Sequence, residues 1–161
     1  MTFTTTRLCD DYAKQHHLQV LDPVFKSYGK KTSFCGKITT LKVFEDNVLV
    51  RQTLEEKVSN RVLVIDGGGS HRCALLGGDI SKLAMNNGWQ GILIYGCIRN
   101  SVEINQLEIG VRALHTHPLK SNKHGIGHRD GLIHFAGGHF KKDYFLYADE
   151  DGIIVSETEL R

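Results

Sequence analysis

The sequence predicts a mixed α/β fold, and the stretch 61–100 carries most of that prediction. A short run rich in valine and isoleucine, Arg61–Ile65, leads through a glycine-rich turn to an amphipathic segment from Asp79 to Asn87. A second apolar run, Gly91–Tyr95, follows it. Strand, helix and strand in this order make a βαβ unit, whose two strands are expected to be parallel neighbours. Short apolar runs towards the C-terminus predict further strands, and hence a mixed sheet.

Length and composition predict one domain over residues 1–161. The chain is 40% hydrophobic and 24% charged, which is ordinary for a globular domain long enough to bury a core. The formal net charge is +2, and no run of Lys and Arg exceeds two residues, so no direct nucleic-acid partner is expected. No apolar run approaches the roughly 20 residues of a membrane span, and the N-terminus lacks a signal-peptide core. We therefore expect a cytoplasmic protein without a membrane partner.

Before the βαβ unit, the pattern predicts two helices and one strand. Thr4–Thr6 can cap a helix over Arg7–Lys14. Apolar and polar residues alternate along Ser33–Val43, as in a strand with one solvent-exposed face, and Val48–Lys57 has the apolar spacing of a helix.

After the unit, the pattern predicts a C-terminal half rich in strands. The expected elements are a short helix or turn over Val102–Leu107, a strand over Val111–His115, a polar loop or edge connection over 119–130, and strands over Leu132–Ala136, Tyr144–Asp149 and Gly152–Val155. Gly137-Gly138 is expected to form a turn or bulge between pairing strands.

Parallel strands place the loops at their carboxyl ends on one rim of the sheet, where α/β proteins bind ligands. Here one loop offers backbone N–H groups and the other offers the guanidinium of Arg99. That combination suits a small carboxylate. Asp66–Ser70 could line such a site or could be a tight packing turn. It lacks the spacing of the phosphate-binding loop and of the dinucleotide-binding fingerprint, so a nucleotide is not expected.

The segment Leu76–Ile80 opens the predicted helix, and the free N–H groups of Gly77, Gly78, Asp79 and Ile80 could hold a substrate carboxylate. In the plainer interpretation, Asp79 is the cap of this helix.

Three residues just after the second strand are candidates for chemistry. Arg99 could clamp a carboxylate or an enolate oxygen, or it could be a surface cation. Asn100 offers one neutral oxygen where an aspartate would bring charge, so it is a poor ligand for a hard metal. Glu103 could face the same cleft or could be a solvated helix residue.

Histidines and cysteines give no metal signature in the sequence. His124 and His128 have helical spacing, but Gly125 and Gly127 disfavour a helix between them. The four cysteines are far apart, without a CxxC pair, and are expected to be reduced thiols.

Motifs spread along nearly the whole chain resemble one known family. They are Leu8-Cys9-Asp10, Phe34-Cys35-Gly36, Lys42–Asn47, Val62–Ser70, Gly88–Gly96, and Tyr147-Ala148-Asp149 with Gly152-Ile153-Ile154. The chain resembles the RraA-like family, which contains regulator of ribonuclease activity A and the 4-hydroxy-4-methyl-2-oxoglutarate aldolases. The resemblance implies an α/β/β layered fold and a ring-shaped homotrimer with clefts between subunits.

For the enzymes of this family, the resemblance implies a divalent metal, Mg²⁺ or Mn²⁺, and a pyruvate enolate held by the metal and an arginine. Their motif is a glycine, twenty residues, Arg-Asp, two residues and an acid. It maps onto Gly78, Arg99 and Glu103, and the carboxylate cradle maps onto Gly77–Ile80. Asn100 stands where the enzymes carry the metal-binding aspartate, which is expected to weaken metal binding. Glu103 is a possible outer ligand.

The resemblance leaves two functions open. One is a metal-dependent aldolase that cleaves 4-hydroxy-4-methyl-2-oxoglutarate to two pyruvates, with oxaloacetate decarboxylation as a side activity and a small 2-oxo acid as substrate. The other is a non-catalytic regulator that binds a ribonuclease E-type endonuclease or an RNA helicase. Family members that regulate ribonucleases also lack the aspartate, whereas the retained cradle, Arg99 and Glu103 favour the enzyme.

Overall fold

The computed structural model describes residues 2–14 and 18–160. Its helices are α1 (Thr5–Tyr12), α2 (Val48–Leu54), α3 (Gly78–Asn86) and α4 (Ser101–Ile104). The predicted Thr cap is confirmed at the first of them, because the side chain of Thr4 accepts a hydrogen bond from the amide of Arg7 at 3.2 Å.

The strands are short except for four neighbouring strands in the middle of the sheet. They are β1 (Leu18–Val20), β2 (Lys26–Tyr28), β3 (Phe34–Lys42), β4 (Arg61–Asp66), β5 (Ala74–Leu76), β6 (Trp89–Ile98), β7 (Gly110–Thr116), β8 (His128–Arg129), β9 (Ile133–Phe135), β10 (Gly138–Phe140), β11 (Phe145–Ala148) and β12 (Ile153–Ser156).

The main sheet is mixed, with strand order β1-β12-β11-β3-β4-β6-β7-β2. β4 and β6 are parallel neighbours, with Val62 opposite Gly91 and Ile65 opposite Ile94, so the predicted βαβ unit is confirmed. β7 runs parallel on the other side of β6. β5 also pairs in parallel with β6, near its carboxyl end. The carboxyl ends of β5, β6 and β7 therefore share one rim of the sheet.

The core lies in layers on the two faces of this sheet. On one face, Leu63 and Ile92 pack with Val50 of α2 and Ala84 of α3. On the other face, Val64 and Leu93 pack with side chains of the two-stranded sheet formed by β9 and β10. The layers are thus helices, large sheet and small sheet. None of the helices in the described part of the chain has the length and apolar character needed to cross a membrane.

Two expectations about the strands are wrong. Ile38–Leu41 of β3 is buried on both faces instead of having one solvent-exposed face, because Leu41 packs in the helical layer and Ile38 packs with the small sheet on the opposite face. The turn at Gly137 does not join β9 to β11. It joins β9 to β10, which is a separate strand, while β11 pairs with β3 and β12.

Helix boundaries also differ from the pattern. α1 begins and ends two residues before the predicted Arg7–Lys14, and α2 ends at Leu54 instead of Lys57. The amide of Glu56 bonds to the carbonyl of Thr53 at 3.2 Å, which closes a tighter turn after α2. The connection 119–130 is mostly irregular and contributes only β8, which pairs with the end of β3.

Candidate active site

The start of α3 and the end of β6 lie side by side at the carboxyl rim. The amide of Arg99 donates to the carbonyl of Leu76 at 2.9 Å, so the chain after β6 is joined to the residue that precedes the glycine pair. The predicted meeting of the two segments is therefore confirmed. It follows from the parallel pairing of β5 with β6, which aligns their carboxyl ends.

The glycine pair Gly77-Gly78 lies directly against the polar side chains that follow β6. A Cβ placed on Gly77 would lie 3.0 Å from Oδ1 of Asn100 and 3.6 Å from Nε of Arg99. A Cβ on Gly78 would overlap the carboxylate of Glu103. The two glycines thus let the backbone of α3 approach Arg99, Asn100 and Glu103 within contact distance.

The first turn of α3 presents amide donors to this space. The amide of Ser81 donates to the carbonyl of Gly77 at 3.1 Å, which makes it the first intrahelical bond. The amides of Gly78, Asp79 and Ile80 precede it and have no acceptor within the helix. Together with the helix dipole, such amides favour an anion.

Asn100 already uses one of these donors. Its Oδ1 accepts a hydrogen bond from the amide of Gly78 at 3.2 Å. Because the Gly78 nitrogen is a donor, the facing side-chain atom must be the oxygen, and the NH₂ group of Asn100 must be directed elsewhere. The backbone of Asn100 is left-handed, at φ 59°, a conformation that asparagine tolerates better than most residues. Asn100 therefore occupies the first amide donor of α3 with a neutral side-chain oxygen.

Arg99 is half-buried and forms no ion pair with any residue in the described ranges. Among the described residues its guanidinium donates one hydrogen bond, to the carbonyl of Pro118 at 3.5 Å. Its charge is therefore available to an anionic ligand.

The segment after β7 completes the rim, and sequence reasoning did not assign it to the site. The amide of His117 donates to the carbonyl of Ile98 at 2.9 Å, and this places the carbonyl of Pro118 against Arg99. The available signal was positional, because residues 117–118 follow a third parallel strand and so lie on the same rim.

The alternative interpretation of Asp79 as the helix cap is wrong. The cap residue of α3 is Gly77, in extended conformation and without a side-chain cap bond, and Asp79 lies exposed in the first turn. There its carboxylate interacts favourably with the helix dipole. The side chain of Ile80 is buried in the core, so only its amide could serve a ligand.

The donor set does not fit a protein-held Mg²⁺ or Mn²⁺ site. Within residues 2–14 and 18–160, no group of three or more His, Cys, Asp or Glu side chains could hold a metal ion. Hard cations favour several charged oxygen ligands. Here the motif position supplies the neutral oxygen of Asn100, which is bonded to Gly78. Glu103 is the carboxylate that lies against the cradle.

The other glycine-rich segment, Asp66–Ser70, is a packing turn. The amides of Gly67 and Gly69 both donate to the carbonyl of Tyr95, at 3.1 and 3.0 Å. Gly68 and Gly69 have φ of 69° and 71°, and a Cβ on them would meet the rings of Phe44 and Tyr95 at 2.7 and 3.0 Å. Aromatic rings therefore pack directly against these two glycines.

Glu45, which follows β3, connects this turn to the end of that strand through hydrogen bonds. Its carboxylate accepts hydrogen bonds at 2.6 Å from Nε of Arg72 and at 2.6 Å from the hydroxyl of Ser70. These two bonds, with that from Arg72 the larger influence, lower the pKa of Glu45.

Comparisons with known proteins place this chain in a family. A family model described as RraA-like, Aldolase/RraA, matches residues 5–155. A protein of Methylococcus capsulatus, provisionally named 4-hydroxy-4-methyl-2-oxoglutarate aldolase, is 60% identical over 160 residues, which are 99% of this chain and 99% of that protein.

Two solved structures share the fold along the whole chain. One is described as S-adenosylmethionine:2-dimethylmenaquinone methyltransferase from Geobacillus kaustophilus, with TM-score 0.95, 46% identity and coverage of 98% of this chain and 97% of that chain. The other is described as the RNA-processing inhibitor RraA from Thermus thermophilis, with TM-score 0.94, 41% identity and coverage of 100% and 96%. The family resemblance of the sequence motifs is thus confirmed, and the chain belongs to the RraA-like family.

Proposed function

We propose that this chain, as a single RraA-like domain over residues 1–161, is a lyase that cleaves 4-hydroxy-4-methyl-2-oxoglutarate to two pyruvates and decarboxylates oxaloacetate. Relatives that carry the aldolase name match it over nearly their full length. The observation that carries the proposal is the unpaired guanidinium of Arg99 beside the amide donors of the first turn of α3. A cation and amide donors on one rim suit a small 2-oxo acid.

Both reactions require the same stabilisation. Breaking the C–C bond leaves an electron pair that is delocalised onto the 2-oxo oxygen of a pyruvate enolate. In the aldol cleavage the 4-hydroxyl loses its proton and becomes the ketone of the second pyruvate, and in the decarboxylation the other product is CO₂. In both, the enolate then takes up one proton to give pyruvate. In the proposal, the amides of Asp79 and Ile80 bind the substrate carboxylate, and Arg99 faces the oxygen on which negative charge develops. A fixed donor aimed at developing charge lowers the barrier most where water is excluded.

The divalent metal expected from the family resemblance stays a prediction, because the donors of this chain do not favour it. When bound, such a cation would polarise the 2-oxo group. Asn100 and Glu103 are the side chains at the motif positions, and only Glu103 brings charge. We therefore propose that Arg99 carries a larger share of the electrostatic stabilisation here than in a relative with Arg-Asp.

A regulator of RNA processing is the second candidate. The similar Thermus structure carries the name RNA-processing inhibitor, and Asn100 departs from the metal-binding motif. In this alternative, a homotrimer binds a ribonuclease E-type endonuclease or an RNA helicase in the cytoplasm without touching RNA. A pull-down with purified endonuclease tests it, and an empty result at micromolar protein would remove its support.

The geometry of this chain does not favour the methyl transfer named for the Geobacillus structure. A nucleoside cofactor would most naturally use the glycine-rich turn after β4, and the rings of Phe44 and Tyr95 lie against that turn.

The deciding experiment for the lyase is pyruvate release from 4-hydroxy-4-methyl-2-oxoglutarate and from oxaloacetate, measured with Mg²⁺, with Mn²⁺ and with a chelator. We expect turnover that is lost in Arg99→Ala. Absence of turnover under all three conditions, with a folded protein, would refute the proposal. Calorimetry with oxalate, an enolate analogue, measures ligand binding separately from the chemical step.

A further inference from the structure

Two histidines face each other on the small sheet formed by β9 and β10, which packs on the face of the main sheet opposite the helices. His134 of β9 is directly opposite His139 of β10 in the antiparallel register. The centres of the two imidazole rings are 6.1 Å apart, with an angle of 43° between their planes. The function proposed above does not involve either histidine.

The geometry of the turn brings these two side chains close together. Ala136 and Gly137 connect the strands with φ of 50° and 75°, which is the pattern of a two-residue type I′ hairpin. In such a hairpin, the pair that flanks the turn, Phe135 and Gly138, exchanges backbone hydrogen bonds. The next pair is then a non-hydrogen-bonded pair, in which side chains approach most closely. That pair is His134 and His139.

The rest of the hairpin holds the histidine backbone in place. Ile133, Phe135 and Phe140 are buried on the inner face, and the rings of Phe135 and Phe140 stack with centres 4.4 Å apart. The outer face therefore carries the two histidines. The side chain of Gln19 bonds the backbone of His139 twice, donating to its carbonyl at 2.9 Å and accepting from its amide at 2.8 Å.

We propose that His134 and His139 chelate one divalent transition-metal ion of the Zn²⁺ and Ni²⁺ class, with water in the remaining positions. Neutral imidazole suits these ions. Two imidazoles bound at about 2.0–2.1 Å to a tetrahedral ion have ring centres roughly 5 Å apart. The rings must therefore approach by about 1 Å, which side-chain rotation on the exposed face provides.

The site is distinct from a metal centre built from many protein ligands. No cluster of three or more His, Cys, Asp or Glu side chains exists within the described ranges, so the pair acts alone. The half-buried thiols of Cys9 and Cys35 are weak competitors, because burial raises the pKa of both and so disfavours the thiolate that binds metal. Metal binding would join the two strands and stabilise the hairpin by mass action.

The test is a calorimetric titration of the full chain with Ni²⁺ and with Zn²⁺ in buffer free of chelator. The variants are His134→Ala and His139→Gln, the second chosen to keep a polar side chain beside Tyr144, whose ring lies 5.9 Å from that of His139. Thermal unfolding in chelator confirms that each variant is folded. We expect wild type to bind one ion that each variant binds at least tenfold more weakly.

A matched control is the pair His71 and His115, whose rings are 6.2 Å apart but belong to a loop and to β7. Replacement of either His71 or His115 by Ala should leave the affinity for the ion bound by His134 and His139 unchanged. The proposal is overturned if wild type binds no ion at millimolar metal, if both hairpin variants keep full affinity, or if the loss follows His71 or His115 instead. Arg99→Ala should bind the metal as wild type does.

Discussion

Two glycine-rich segments follow apolar strands on the same side of this protein, and they have different structural roles. In Asp66–Gly69, the glycines face aromatic rings and close a turn through bonds to Tyr95. In Gly77–Gly78, the glycines face Arg99, Asn100 and Glu103. The two segments look alike in the sequence. In the structure, apolar side chains pack on the first segment, whereas charged and hydrogen-bonding side chains contact the second.

The difference shows that a glycine's role depends on what lies across from it. Where the opposing atoms are aromatic carbon, the absent side chain serves packing. Where they are the side chains of Arg99, Asn100 and Glu103, the absent side chain lets the backbone at the start of α3 come into contact with charged and polar groups. The following changes test this contrast between the packing turn and the cradle, beginning with the largest expected effect.

Arg99→Ala should lower kcat/KM for pyruvate release by about 10²–10³, the usual cost of removing one donor to a developing oxyanion. Stability should change little, because among the described residues the guanidinium donates one long hydrogen bond, to the carbonyl of Pro118 at 3.5 Å, and forms no ion pair. Arg99→Lys is the matched control, which keeps the charge but loses the planar fork and should retain part of the rate. A rate for Arg99→Ala within about threefold of wild type would contradict the assignment.

Asn100→Asp should raise activity that depends on Mg²⁺ or Mn²⁺, by about tenfold or more, because a second carboxylate joins Glu103 beside the cradle. The measurement is a metal titration of oxaloacetate decarboxylation. Asn100→Ala is the control, since it removes the bond to Gly78 without adding charge. Equal metal dependence in wild type and Asn100→Asp would show that the motif is wrongly mapped.

Gly69→Ala and Gly77→Ala form a matched pair across the two segments. Gly69→Ala should cost about 1–3 kcal/mol of unfolding free energy, because it forces alanine into the left-handed region beside the ring of Tyr95. Its activity per folded molecule should be unchanged. Gly77 has φ −123°, which alanine adopts freely, so Gly77→Ala should cost less than about 1 kcal/mol.

The same Gly77→Ala variant should weaken oxalate binding, since its Cβ enters the space between Asn100 and Arg99. Chemical denaturation and calorimetry measure the two effects separately. The reverse pattern, with activity lost at Gly69 and stability lost at Gly77, would reverse the roles given to the two segments.

The smallest effect concerns the acid sensitivity of the packing turn. Because the folded pKa of Glu45 is lowered, its bonds to Arg72 and Ser70 stabilise the protein above the pKa of an unfolded glutamate, about 4.3. That contribution is lost as the pH falls through the lower folded value. Glu45→Gln should therefore flatten the fall in stability on the acid side, as measured by denaturation at a series of pH values. An unchanged slope would mean that Glu45 does not fasten the turn.

The βαβ unit could be predicted because its strands and helix are long enough to show a repeating pattern of apolar residues. The strands β1, β2, β5 and β10 were not predicted, since each has only three residues and is defined by the strand with which it pairs. The wet face assigned to β3 was wrong for a related reason. Alternation in the sequence does not show that another layer covers the second face.

At the candidate site, sequence reasoning brought Gly77, Gly78 and Arg99 together because parallel strands share a rim. It did not place the carbonyl of Pro118, which reaches the site through a backbone bond between separate strands. It also left open whether Asp79 caps the helix, because a cap depends on the backbone conformation at Gly77 and not on the presence of a nearby carboxylate.

The sequence by itself determined the family, the order of the central strands and helix, and the candidate residues, because these depend on local periods and on motifs. Only the tertiary structure decided which glycine segment was filled, which atom of Asn100 meets Gly78, and that Arg99 has no acidic partner among the described residues. Those outcomes depend on contacts between residues far apart in the chain, and the hydrophobic pattern of a single segment does not predict such contacts.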